Sequence, residues 1–341
     1  MPDQEHNGEQ LLLGIDLGST RTAVVSNLGY QNIIHSVVGY PKDIIALKMV
    51  GQPQVFGDEA LEKKSALTLY YPLREGAVLR DGKQDYDSAF ELLRHVIELA
   101  TQGQSGPAGG IIGISSRTSS AGKEYLTRIA AKLLSPSLVI ADPFLVGYHL
   151  NQLDNCLIID IGAGTVDICV LKGAAPAARD QVNLLKAGDY IDQQLYELIS
   201  QRHPEVQLSR DLARRIKERH AFVGQVEDPV IVRLRVGGKP KEYDLTSEMK
   251  MACESIVPDI IERLTILLQS MDPEDLDTTL QNIYLTGGGA RIRHLEAMVA
   301  DSLRDYGRVR VSSIDDPEYA GARGALRLAA SLGPGQWPQL G

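Results

Sequence analysis

Several things are scarce in this chain, and each scarcity excludes something. Only three cysteines occur among 341 residues, Cys156, Cys169 and Cys253. They show no CxxC spacing, so a disulfide scaffold or a zinc finger is not expected. Two of them lie in strand-like apolar runs and read as reduced core residues of a cytosolic protein. The seven histidines form no HExxH or comparable ligand pattern. Basic residues are outnumbered: Lys and Arg total 35 against 44 Asp and Glu, a formal net charge of -9. No basic stripe is available to meet a phosphate backbone, so nucleic acid is not an expected partner unless an adaptor brings it. No run approaches the ~18 consecutive apolar residues of a membrane span. The opening "MPDQEHNGEQ" lacks both basic residues and an apolar stretch, so neither a secretory leader nor an amphipathic anchor is expected, and no direct membrane insertion. "ALTLYYPL", residues 66–73, is the one candidate apolar patch and reads as core.

What is present is the composition of a folded protein. Hydrophobic residues make up 43% and charged residues 23%, and the length suffices for two domains with full cores. Strand-like and helix-like segments alternate in both halves, which predicts an α/β protein with sheets covered by helices.

The most informative stretch is "LIIDIGAGTVDICVL", Leu157 to Leu171. It reads as a strand, a turn of small residues and a return strand, with Asp160 placed inside the first apolar run and Asp167 opening the second. A buried carboxylate costs several kcal/mol unless something pairs with it. The pattern makes sense if a phosphate sits on the turn. Gly162, Ala163 and Gly164 then let backbone N–H groups close on anionic oxygens, and the aspartate faces the metal that accompanies a nucleotide. "LLLGIDLGSTRTAVVSN" near the N-terminus repeats the pattern, with Asp16 followed by Gly18, Ser19 and Thr20. Two such units predict an internal duplication, each half supplying one strand–turn–strand loop. A third motif, "NIYLTGGGARIRHLEAMVADSL", reads as strand, Gly287–Gly288–Gly289, then helix.

Elsewhere "SAFELLRHVIELA", Ser88 to Ala100, predicts an amphipathic helix with Phe90, Leu93, Ile97 and Ala100 on one face, capped by Ser88 or Asp87. "GQSGPAGG", residues 103–110, reads as a loop before the strand "IIGIS". "DYIDQQLYELISQR" and "SRDLARRIKERHAF" read as helices, and "VIVRLRV", residues 230–236, as a strand with one solvated face. Helical spacing from Met249 to Leu268 carries Pro258 as a kink. A last helix begins at Asp316–Pro317, and "GPGQWPQLG" after it, with Trp337, reads as a loose tail.

Taken singly, each glycine cluster reads as an ordinary turn. The ordered set of strand–Asp–turn, a second such unit, and strand–GGG–helix resembles the actin/sugar-kinase/heat-shock-ATPase superfamily, and it spans most of the chain. The resemblance implies an α/β, actin-like ATPase fold: two similar domains, each a sheet flanked by helices with a smaller inserted subdomain, around a nucleotide cleft. It divides the chain into subdomain IA (8–38, 73–152 and 313–332), IB (39–72), IIA (153–187 and 248–312) and IIB (188–247), with a disordered tail at 333–341. It implies ATP/ADP and Mg²⁺ as cofactors. Asp16, Gly18, Ser19 and Thr20 would form the first phosphate loop. Asp160, Gly162, Ala163, Gly164 and Thr165 would form the second. Gly287, Gly288 and Gly289 would pack on the adenosine, and Asp16 and Asp160 would hold Mg²⁺ through water.

"RRIKERHAF" resembles the actin helix that meets the ribose, which would bring Lys217 and Glu218 to the sugar or base with Arg214 nearby. "AGDYIDQQL" and "IYLTGGGARIRHLEAM" resemble the MreB group of bacterial actins. "SVVGYPKDIIALKMVG" with "FGDEA" and "LLRHVI" is similar to the actin-like proteins that organise magnetosome chains. One position departs from the family. Where it carries a glutamate before a proline to orient the attacking water, this chain has "ADPF", so the carboxylate is Asp142. It is shorter by one methylene, on the order of 1.5 Å of reach.

The function implied is an actin-like ATPase that polymerises with Mg-ATP into cytoplasmic filaments, partnering itself and organelle or adaptor proteins, with Asp142 and Asp160 catalytic. An MreB-like cell-shape scaffold or plasmid-segregation filament is the alternative cargo. A sugar kinase would need a sugar-binding insertion. A chaperone would need a substrate domain after the last helix.

Overall fold

In the computed structural model the described residues are 10–341, apart from 79–82, 105, 334 and 338–341; the side chains of 77 and 83–87 also lie outside the description. The chain forms two compact units, Met1–Leu150 with Gly321–Gly341, and Asn151–Ala320. The return into the first unit therefore comes at Gly321, later than the expected boundary at 313.

In the first unit, strands β1 (Leu12–Leu17), β2 (Arg21–Ser26), β3 (Gln31–His35), β4 (Val38–Pro41), β5 (Val55–Phe56), β6 (Leu67–Tyr70), β7 (Leu73–Arg74), β8 (Ala77–Val78), β9 (Gly109–Ile114) and β10 (Ser137–Ala141) alternate with helices α1 (Ile44–Val50), α2 (Gly57–Glu62), α3 (Lys83–Thr101), α4 (Ser120–Leu133) and α5 (Asp142–Leu150). The main sheet has the order β10-β9-β1-β2-β3. Strands β1 to β3 are antiparallel, and β9 and β10 join in parallel. Side-chain alternation along the strands divides the core. Leu13, Ile15, Leu17, Ile112 and Ile114 face one apolar cluster with Leu92, Leu93 and Val96 of α3 and Leu126 and Ile129 of α4. Ile111 faces the other, with Leu145 of α5 and Ala325, Leu328 and Ala329 of the C-terminal helix, Ala320–Ser331. Gly14 sits inside β1 because that helix lies directly on it: a Cβ there would overlap the Ala322 carbonyl oxygen. A smaller sheet, β5-β4-β6, packs with Val37, Val55, Ala60 and Leu67 in its own core.

The second unit contains β11 (Asp154–Ile161), β12 (Val166–Lys172), β13 (Gln181–Leu184), α6 (Gly188–Arg202), α7 (Arg210–His220), the hairpin β14 (Ile231–Val236) and β15 (Lys239–Asp244), α8 (Thr246–Glu254), α9 (Val257–Gln269), α10 (Pro273–Leu280), β16 (Ile283–Thr286), α11 (Leu295–Leu303) and β17 (Val311–Ser313). Its sheet order is β13-β12-β11-β16-β17. Again the first three strands are antiparallel and the last two join in parallel. The duplication expected from two short motifs therefore extends strand by strand over both sheets.

Five local expectations need correction. Helix α3 already runs from Lys83, and Ser88 is buried within it rather than capping it; the Asp87 side chain lies outside the described residues. Gly109 and Gly110 belong to β9, where they pair with Leu12 and Leu13, rather than to the preceding loop. Pro258 kinks nothing: α8 ends at Glu254, and Pro258 stands in the first turn of α9, where its missing N–H has no intrahelical partner to lose. Trp337 is not loose. It is 6% exposed, docked with Ile111, Leu138 and Leu145. Residues 66–73 are core only in part: Leu67, Pro72 and Leu73 are buried, whereas Tyr71 is exposed, as are Ile44, Ile45 and Met49 of α1. All three cysteines are free and buried, and among the described residues no helix is long and apolar enough to cross a membrane.

Candidate functional site

Each sheet presents one turn of small residues between its first two strands. In the first unit the turn closes with Gly18 N–H donating to Arg21 O at 3.1 Å. A side chain on Gly18 would run into that same carbonyl, within 2.5 Å. Ser36 anchors the turn from behind, its hydroxyl donating to Gly18 O at 2.7 Å, while Ser36 N–H donates to Thr20 O at 2.8 Å. Ser19 accepts from Gly76 N–H at 2.9 Å. Asp16, in register with Ala23 and Gly113, is half-buried at the end of β1.

Asp142 opens α5 and is 6% exposed. Its carboxylate occupies the space a side chain on Gly113 would need. The structure brings Asp142 and Asp16 together at the C-terminal helix. A Cβ on Gly321 would come within 2.9 Å of Asp16 Oδ2 and 3.3 Å of Asp142 Oδ1. Gly321 lies in the first turn of that helix, whose partial positive charge favours neighbouring carboxylates. Sequence reasoning missed Gly113 and Gly321; their signal was a glycine inside an apolar strand and one at a helix start.

In the second unit Asp160 of β11 stands opposite Asp167 of β12. They differ in environment. Asp167 is buried and accepts from the Thr165 hydroxyl at 3.0 Å, so it closes the turn from inside. Asp160 is half-buried, and Gly287 approaches it closely: with φ at +71°, a conformation suited to glycine, a Cβ there would collide with Asp160 Oδ1. Gly289 packs likewise on Ile161, while a Cβ on Gly288 would meet nothing within 4 Å. The second loop and the triple glycine are therefore one assembly, with Gly287 and Gly289 turned to β11.

The loop is also tied to α6. Gly162 N–H donates to Thr165 O at 2.9 Å. Gly188 N–H donates to Gly162 O at 3.0 Å, and Asp189 N–H to Ala163 O at 2.8 Å. In a trans peptide the C=O of one residue and the N–H of the next point in opposite directions. With both loop carbonyls turned to α6, the N–H groups of Ala163 and Gly164 point away from it. Consecutive N–H groups aimed the same way form an anion-binding concavity, which fits a phosphate oxygen.

Of the three residues expected near the sugar, Lys217 of α7 is fully described by its bonds. Its Nζ donates to Gly188 O at 2.9 Å and pairs with Asp192 Oδ1 at 2.7 Å, both side chains nearly out of solvent. Arg214 is half-buried one helical turn before it, and Glu218 is exposed. Burial holds the Asp192 carboxyl above the ordinary carboxylate range, against the pull of Lys217. Asp192 was missed by sequence reasoning. Its signal was an acid in the buried stripe of α6, beside Ile191 and at helical spacing to Leu195 and Ile199. Among the described residues, no cluster of three or more His, Cys, Asp or Glu forms a protein-only metal cage. The half-buried carboxylates of Asp16 and Asp160 suit a hard cation that keeps its waters and binds along with phosphates.

Two sheets of one pattern, each with an aspartate before a small-residue turn, and a triple glycine packed on the second, define an actin-like protein. The chain belongs to the MreB/Mbl protein family, whose model matches residues 10–333. It is 47% identical over 332 residues to the actin-like protein MamK of Magnetospirillum gryphiswaldense, covering 97% of this chain and 92% of that one. Among solved structures it is similar to a MamK double helical filament, with TM-score 0.91 and 45% identity over 95% of this chain and 100% of that one. It also matches a non-polymerising MamK mutant bound to AMPPNP, with TM-score 0.77 and 46% identity over 95% and 99% of the two chains.

Proposed function

We propose that this chain is an actin-like ATPase that polymerises with Mg-ATP into cytoplasmic filaments and positions magnetosome organelles into a chain. The observation that carries the reading is the matched pair of loops, with Gly287 seated against Asp160. It stands beside near-full-length likeness to a protein seen both as filaments and with an ATP analogue.

On this reading Gly18, Ser19 and Thr20 hold phosphate from the first unit. Gly162, Ala163, Gly164 and Thr165 hold it from the second. Gly287, Gly288 and Gly289 let backbone approach the adenosine closely. Arg214 and Glu218, on the helix that carries Lys217, lie toward the sugar side. Mg²⁺, when bound, neutralises phosphate charge, with Asp16 and Asp160 holding its waters. Phosphoryl transfer to water requires mainly positioning and charge stabilisation. Asp160 supplies the first, and Asp142 orients the water. The protein's main partner is a second copy of itself, joined head to tail in a contact that does not close; adaptor and organelle proteins connect it to cargo. The subdomain division drawn from the sequence applies, apart from the later return at Gly321 and the docked Trp337.

The test is phosphate release and sedimentation measured together on purified protein with Mg-ATP, with and without candidate sugars. ATP-dependent pelleting with sugar-independent phosphate release is expected. Sugar-stimulated turnover without pelleting would identify a kinase instead.

A further inference from the structure

Lys217 is bound from two sides inside the second unit, and the consequence reaches the loop. Its ammonium donates to the carbonyl of Gly188, the first residue of α6, and is held there by Asp192 from the next turn of the same helix. The N–H of Gly188 and of the neighbouring Asp189 are the groups that turn the Gly162 and Ala163 carbonyls toward the helix. Little slack exists at the junction: a Cβ on Gly188 would come within 3.1 Å of Gly162 O, 3.2 Å of the Ala163 Cα and 3.4 Å of Lys217 Nζ.

We infer that Asp192 is a positioning residue for the nucleotide's phosphates, acting through Lys217 as a strut that sets the start of α6 and so aims the N–H groups of Ala163 and Gly164. The inference rests on the reading that the second loop takes the phosphates of ATP. It gives Lys217 a role at the loop rather than at the sugar. A buried carboxylate is the right partner for such a strut. An ammonium left without an anionic partner at a buried site would draw in water. With Asp192 beside it, it is held in one place. The strut ties α6 and α7 together at the point where α6 meets the loop. On this inference the strut acts on the loop and not at the base or the sugar, so its effect on binding is confined to the phosphates.

That confinement gives the test. The affinities of ATP and of adenosine are measured by competition against a fluorescent nucleotide in Mg²⁺ buffer, at protein concentrations below assembly. The proteins are the parent, Asp192→Asn, Asp192→Glu, Lys217→Met and the apolar pair Asp192→Leu/Lys217→Met. Asp192→Asn and Lys217→Met should each weaken ATP by about 10-fold, the worth of one hydrogen bond to a charged group. Adenosine affinity should stay at the parent's value. The apolar pair restores packing without a buried charge, so it should fold, yet it should weaken ATP no more than either single change. Asp192→Glu should recover part of the loss. If the variants lose thermal stability but keep the parent's ratio of ATP to adenosine affinity, the strut is structural only and the inference fails. If adenosine weakens in step with ATP, Lys217 meets the sugar and the inference also fails. If the parent itself binds no ATP, the reading of the site falls first and takes this inference with it.

Discussion

The carboxylates of Asp16 and Asp142 lie against one glycine: a Cβ on Gly321 would stand within 2.9 Å of Asp16 Oδ2 and 3.3 Å of Asp142 Oδ1. The residue proposed to hold metal waters and the residue proposed to orient the attacking water are thus set by the same turn of the C-terminal helix. Gly321→Ala should push on both. Misplacing a catalytic group by about 1 Å can cost ~10²-fold, so phosphate release should fall by at least ~10-fold while the protein remains folded by circular dichroism. A rate equal to the parent's would separate the two carboxylates from the chemistry.

Asp142 is the residue proposed to orient the attacking water. Asp142→Ala should bind ATP but release phosphate on the order of 10²-fold more slowly, the usual contribution of a positioned base. Asp142→Glu adds one methylene of reach and should hydrolyse faster and disassemble sooner. The space is tight, since Asp142 already fills the gap above Gly113. The glutamate variant should therefore be less thermostable, by ~1–3 kcal/mol. Phosphate release, light scattering and thermal melts on the three proteins check all of this together.

Asp160 and Gly287 form the matching test in the second unit. Asp160→Ala should reduce turnover by on the order of 10² or more, through lost charge positioning. Gly287→Ala should do comparable damage without removing any charge, because its Cβ would meet Asp160 Oδ1 and its φ is +71°. Normal turnover in either variant would detach the second loop from the site.

Trp337 is the sole tryptophan and is 6% exposed. Its fluorescence should therefore be blue-shifted in the native protein and move to long wavelength on denaturation. Trp337→Ala should cost ~3 kcal/mol or more, as for other large core residues, and lower the melting temperature by several degrees. Solvent-like emission from the native protein would contradict the docking.

Burial pushes the Cys156 thiol up to about 12 and Cys253 to about 11, and raises Cys169 as well. At pH 8 all three should remain protonated, and the thiolate is the reactive form. A disulfide reagent at pH 8 should modify none of them within minutes in the native protein, and all three after denaturation. One fast-reacting native thiol would contradict this.

The elements read correctly from sequence were those whose evidence is local. A strand, an aspartate, a small-residue turn and a return strand occupy a few consecutive positions, so both loops and the duplication were legible. Gly287 could be named as a motif residue, but its seat against Asp160 depends on β16 pairing in parallel with β11, which no local pattern encodes. Trp337 was misread because a tail rich in Gly and Pro has no periodicity; its burial comes from a pocket built by β9, β10, α5 and the C-terminal helix. Asp192 was passed over because a single acid in an apolar stripe looks like a surface residue until its partner, a full element away on α7, is known. Pro258 fits a kink and a first turn equally well, and the break after Glu254 decided between them.

Assembly is the central claim, and electron microscopy of the purified protein tests it most directly. With Mg-ATP, filaments are expected; without nucleotide, or with Asp160→Ala, few or none. Dispersed monomers under Mg-ATP, across protein concentrations at which ATP is shown to be bound, would contradict the account.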